Sequence, residues 1–96
     1  MEKDDILTEL VAFLRKYSEI ENVVLFGSRA RGDFSRLSDY DIAIFGDLKK
    51  NEIVEIKDFC ENDINSLLKF DIIFMNSDII SPQLCENIKK DGANIW

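Results

Sequence analysis

The sequence contains no histidine. That excludes a serine–histidine or cysteine–histidine nucleophile built within this chain, so any catalysis falls to carboxylates, to metals bound by them, and to basic side chains. Cysteine is scarce too. Cys60 and Cys85 are the only two, and two thiols without histidine cannot furnish four ligands for zinc. Both stand among apolar neighbours in different expected helices, which suggests buried, reduced thiols. Proline occurs once, at Pro82, and glycine four times, each where a periodic segment ends or turns. No apolar run approaches a membrane span, and MEKDDILTEL lacks the charge and apolar core of a signal peptide. The expectation is a cytoplasmic protein with no membrane association.

The 96 residues amount to one domain, 1–96, with 46% hydrophobic residues and hence a small but real core. There is little spare material for an appended acceptor-binding domain. Net charge is −7, which disfavours nucleic acid as a direct partner because phosphate attraction supplies most non-specific binding. A basic protein or a small metal-bound nucleotide suits the charge better.

Hydrophobic spacing predicts a helix over about 4–18, with Leu10, Leu14 and Tyr17 on its apolar stripe and Asp4 and Asp5 in its first turn. A β-branched run at 22–26 predicts a buried strand that stops at Gly27, followed by a short helical turn over Ser28–Gly32 and a loop around Ser35–Ser38. A second strand is predicted over 39–45, a helix over about 50–68, a third strand over about 70–75, and a helix over 82–91 opened by Pro82 and stopped by Gly92. Ala93–Trp96 offers a short edge strand. The result is an α/β (α+β) architecture, a small mixed sheet of three to four strands flanked by helices.

One constellation carries chemistry. Residues two apart on a strand share a face, so Asp39 and Asp41 project together while Tyr40, Ile42 and Ile44 face the other way. Asp71 projects opposite Phe70 and Ile72. If the second and third strands are neighbours, the three carboxylates meet on one face. Like charges about 4 Å apart repel by roughly 4 kcal/mol at an effective dielectric near 20. A divalent cation reverses that sign, and hard oxygen donors suit Mg2+ or Mn2+. Gly27-Ser28 lies at a strand-to-helix junction, where backbone amides, close approach and a hydroxyl favour phosphate. Arg29, Arg31 and Arg36 then face Asp33 alone, a basic stretch in an acidic chain suited to phosphate recognition. Each part is a weak signal alone. Gly-Ser, ten intervening residues, Asp-x-Asp and a later strand aspartate together are a strong one. By contrast, Glu52, Glu55, Asp58 and Glu61 at helical spacing read as a solvated face, and Tyr40 as packing.

With those residues in view, GSRARGDFSRLSDYDIAIF and FDIIF resemble the signature of the minimal nucleotidyltransferases (MNT) of the polymerase-beta-like nucleotidyltransferase superfamily. The resemblance spans nearly the whole chain with no element missing. It implies a small mixed sheet flanked by helices, with Gly27 and Ser28 holding a triphosphate, Asp39 and Asp41 holding two Mg2+ ions, and Asp71 assisting the attacking hydroxyl. It also implies a metal-dependent nucleotidyltransferase using ATP. Proteins of this type are commonly antitoxins that AMPylate a tyrosine of a HEPN-domain ribonuclease toxin, so a hetero-oligomer with such a toxin is expected. The rival expectations are an antitoxin that neutralises its partner by binding alone, and a transferase acting on a small molecule.

Overall fold

The computed structural model describes residues 5–32, 39–64 and 69–96; Asp4, Asp33, the expected loop around Ser35–Ser38 with Arg36, and residues 65–68 lie outside them. The elements run α1 (Asp5–Leu14), β1 (Ile20–Phe26), α2 (Ser28–Arg31), β2 (Tyr40–Gly46), α3 (Lys50–Asp58), β3 (Phe70–Phe74), α4 (Pro82–Asp91) and β4 (Ala93–Asn94). A π-helical stretch, Phe59–Asp63, continues α3. The strands form a mixed sheet in the order β3-β2-β1-β4, with β1 antiparallel to β2 and β4, and β2 parallel to β3.

Strand alternation assigns the two faces. Val23 and Leu25 of β1, Ile42 and Ile44 of β2 and Phe74 of β3 pack with Leu10 and Leu14 of α1 and Ile56 of α3. The opposite parity, Phe26 and Ala43 with Phe45 and Ile73 beside them, packs on Ile88 and Leu84 of α4. Both faces are therefore covered, which explains why β2 reads as almost continuously apolar once past Asp41.

The predicted elements are all present, and their ends differ for local reasons. α1 stops at Leu14 because the chain tightens there, Lys16 N–H donating to Phe13 and Tyr17 N–H to Leu14. β1 begins at Ile20, two residues early, since Ile20 pairs with Gly46 across an irregularity at Glu21. The third helix widens at Phe59, where Ile64 N–H reaches back five residues to the Phe59 carbonyl, and Ile64 itself is extended. α4 matches its predicted span and is capped by Ser81, whose hydroxyl accepts from Leu84 N–H at 3.2 Å. Gly92 follows it in an extended conformation rather than the left-handed one common after a helix. Ala93–Asn94 does add an edge strand. Cys60 is buried and its thiol is pushed up to about 12, by burial first and by Glu61 second. Cys85 is half-buried rather than buried, and both thiols are free.

Three members of the acidic helical run have hydrogen-bond partners, Asp58 accepting from the Asn62 side-chain amide at 2.8 Å. Glu52 accepts from Lys49 N–H at 2.9 Å, and Glu55 accepts from the Tyr17 hydroxyl at 3.0 Å. The Tyr17–Glu55 bond ties the end of the first helical segment to α3. Burial, reinforced by Glu55, raises the Tyr17 phenol to about 12. A raised acid favours the folded state fully below its unfolded value, near 10, and loses that contribution as pH rises through about 12. Tyr17→Phe should therefore cost about 1 kcal/mol at neutral pH, a fall in Tm on the order of 5 °C. It should also remove the corresponding step from an alkaline stability profile followed by circular dichroism. A variant as stable as the parent would mean that the bond contributes nothing.

Candidate functional site

The sheet register brings the predicted acids together. In the parallel β2–β3 pair, Asp41 lies directly opposite Asp71, and Tyr40 opposite Phe70. Registered neighbours point to the same side, so Asp41 and Asp71 share the face carrying Ala43, Phe45 and Ile73, the face that α4 covers farther along. Asp39, exposed, precedes β2 by one residue, and Asp71 is also exposed at the open start of β3. Asp41 is half-buried, and its carboxyl is raised above the ordinary aspartate range. Desolvation is the main cause, followed by the negative charges of Asp71 and then Asp39, with Arg31 pulling the other way. Three acids and one guanidinium thus belong to one electrostatic unit.

Gly27 closes the other side of the unit. It joins β1 to α2 at φ 74°, ψ −155°, backbone territory that is essentially glycine's alone. A Cβ placed there would run into the Asp41 carboxylate, which lies against the glycine. The two ends of the Gly-Ser and Asp-x-Asp signature therefore meet in space, because Phe26 pairs with Asp41 across the antiparallel β1–β2 ladder. Ser28 opens α2, and the Gly27 carbonyl accepts from Ala30 and Arg31 N–H at 3.2 and 3.1 Å. α2 is a single four-residue turn. Little macrodipole is available from so short a helix, so an anion here would rely on local amides and the Ser28 hydroxyl.

The two arginines part company. The Arg31 guanidinium lies 3.5 Å from the Asp91 carboxylate at the end of α4, on the side of the acids. The Arg29 guanidinium rests over the Tyr40 ring, 3.9 Å from its centroid, and Tyr40 has the parity opposite to Asp41. Tyr40 and Asp91 belong to the surroundings of the site without having been singled out for it. Asp91 reaches Arg31 across 60 residues of sequence, and no local pattern signals such a contact.

As a donor set the three carboxylates suit a hard divalent cation, since they are oxygen ligands carrying uncompensated charge. Among the described residues, no three acidic or thiol side chains are drawn around a common point closely enough to enclose one. Asp39, Asp41 and Asp71 share a field but are not gathered into a cage.

Comparison with known proteins adds a family. The model of the polymerase beta nucleotidyltransferase domain matches residues 8–96. A Methanocaldococcus jannaschii protein, named as a candidate protein adenylyltransferase, is 35% identical over 86 residues, 88% of this chain and 79% of its own. One chain of a toxin–antitoxin structure with AMP-PNP superposes at a TM-score of 0.73 with 24% identity, over 94% of this chain and 72% of that one. A chain from the complex of tri-AMPylated Shewanella oneidensis HEPN toxin with MNT antitoxin does so at 0.68 with 20% identity, over 95% and 69%. At these identities the structural likenesses establish the fold.

Proposed function

The chain belongs to the polymerase beta nucleotidyltransferase family, and we propose that it transfers AMP from ATP to a tyrosine hydroxyl of a HEPN-domain toxin that it neutralises. The observation that carries this reading is the in-register pair Asp41 and Asp71, set against a glycine whose missing side chain admits the Asp41 carboxylate. Gly27 and Ser28 receive the triphosphate, with Arg31 on the same side. The acceptor oxygen attacks the α-phosphorus in line. The new phosphorus–oxygen bond forms as the bond to the β-phosphate oxygen breaks, pyrophosphate leaves, and the hydroxyl proton passes to the carboxylate of Asp71. Two Mg2+ ions, or Mn2+ in their place, held by Asp39, Asp41 and Asp71 would supply neutralisation of the phosphate charge. The remaining work is positioning by this chain's own groups.

The protein partner is supported by the company the fold keeps, toxin–antitoxin complexes that include a HEPN toxin, and by a net charge of −7, which suits docking to a basic RNA-cutting protein. Incubation with α-labelled ATP, Mg2+ and a HEPN-domain toxin that the chain neutralises should place label on a tyrosine of that toxin. Replacement of that tyrosine by phenylalanine should remove it. A folded pair that takes up no label, in which Asp39→Asn with Asp41→Asn still neutralises the toxin, would establish neutralisation by binding alone. Label on a small-molecule acceptor with no protein present would establish the small-molecule transferase.

A further inference from the structure

A four-residue helix does not hold its own shape, because nucleating a turn fixes more dihedral angles than it gains hydrogen bonds. α2 therefore stands where it does because contacts outside it keep it there. Residues 29 and 31 are about 200° apart around a helix, and their side chains leave α2 on opposite sides. Arg31 goes to Asp91 on the carboxylate side. Arg29 goes to Tyr40, which is itself fixed: it is 2% exposed and stacks on Phe70 with ring centroids 4.9 Å apart. Between them, Ala30 packs against the larger core.

We propose that Arg29 is a positioning residue, which by lying on the Tyr40 ring fixes α2 and with it the Ser28 hydroxyl and Gly27 backbone that receive the triphosphate. The proposal rests on the phosphate-binding reading of Gly27 and Ser28 given above. A guanidinium that binds phosphate directly would have to lie with Asp41 and Asp71, whereas Tyr40 has the opposite strand parity. A planar guanidinium also suits a flat aromatic ring in a way that an ammonium does not. Arg29 thus acts through a ring on one side of the sheet upon a site on the other.

Steady-state transfer by the whole chain with its acceptor, varying ATP well below the unfolding temperature, separates the roles. Arg29→Met should raise KM for ATP about tenfold with kcat changed by less than about threefold. Arg29→Lys should fare no better, and Tyr40→Phe, which keeps the ring, should remain close to the parent. Tyr40→Leu should reproduce Arg29→Met, and the double variant should be no worse than either alone. Should Tyr40→Leu fail to fold, the contrast of lysine with methionine at Arg29 still decides. Recovery of KM by Arg29→Lys would overturn the proposal in favour of a direct charge contact. An unchanged KM with only a lowered Tm would overturn it in favour of packing. A readout free of activity is hydrogen exchange at the α2 amides without nucleotide, which should quicken in Arg29→Met and Arg29→Lys. If the unaltered protein transfers nothing, the phosphate-site reading falls, while the exchange result still tests the clamp.

Discussion

Asp41→Asn should transfer AMP at least roughly 10³-fold more slowly than the parent, about 4 kcal/mol of lost transition-state stabilisation, and yet fold at least as well. The first half follows from position. Asp41 is the central acid of the three, lying opposite Asp71 on the neighbouring strand and against the Gly27 backbone. Among the described acids, Asp41 is the one that lies against Gly27 at the strand-to-helix junction. The isosteric amide keeps the shape and removes the charge, so the loss is chemical rather than steric.

The second half follows from the direction of the Asp41 shift. Burial first, then Asp71 and Asp39, hold its carboxyl above the usual value of 3.8. A raised carboxyl supports folding fully only below its unfolded pKa, and that support disappears as pH climbs through the folded value. At neutral pH the ionised group therefore opposes folding, and asparagine relieves the opposition. Because Asp41 is half-exposed, screening leaves only a few tenths of a kcal/mol, a rise in Tm on the order of 2 °C without divalent cations. Mg2+ should raise the Tm of the parent and do so less for the variant. Paired transfer assays and thermal melts check both halves. Retention of more than a tenth of the activity would remove Asp41 from the chemistry. A drop of several degrees would mean that its carboxylate makes a stabilising bond.

Much of this arrangement can be read from the chain alone, and the remainder divides along physical lines. The strands are legible because β-branched runs end at Gly27 and Gly46, and α4 because Pro82 opens it. Local sequence does not show the irregularity at Glu21 that lets β1 start at Ile20, since it is fixed by pairing with Gly46 on another strand. The π-helical stretch after Asp58 is hidden for a different reason. An inserted residue shifts the apolar spacing by less than the helical pattern itself tolerates, so Ile56, Cys60 and Ile64 still read as one stripe.

For the site, the Gly-Ser and Asp-x-Asp spacing is a local property, and the meeting of Gly27 with Asp41 follows from a simple antiparallel return of β1 onto β2. Asp71 is different. Its place depends on β2 and β3 being adjacent, parallel and in register, and the sequence states that only as a condition. The arginines show what periodicity could have added. At 100° per residue, Arg29 and Arg31 leave one helical turn about 200° apart. Which of the two faces the acids is decided by Tyr40 and Asp91, one on a strand yet to come and one near the far end of the chain.

Gly27→Ala should damage transfer as well as stability, and its effect can be separated from that of glycine loss in general. At φ 74° and ψ −155°, any residue with a Cβ carries a conformational cost of about 1–3 kcal/mol, a fall in Tm on the order of 10 °C. The new methyl also meets the Asp41 carboxylate head on, so that side chain must leave its position or the strand must open. A displacement near 1 Å in a reacting group costs roughly 10²-fold in rate, and transfer should fall by at least that much even at temperatures where the variant is folded. Gly32 supplies the control. It too has positive φ, 85°, but among the described residues nothing lies within 4 Å of where its Cβ would be. Gly32→Ala should therefore lose about 1 kcal/mol of stability and keep its transfer rate. Thermal melts combined with single-turnover transfer, run on both variants, test the contrast. If Gly27→Ala loses stability alone, like Gly32→Ala, then the approach of Asp41 to Gly27 plays no part in the reaction, and the site built on that approach would have to be abandoned.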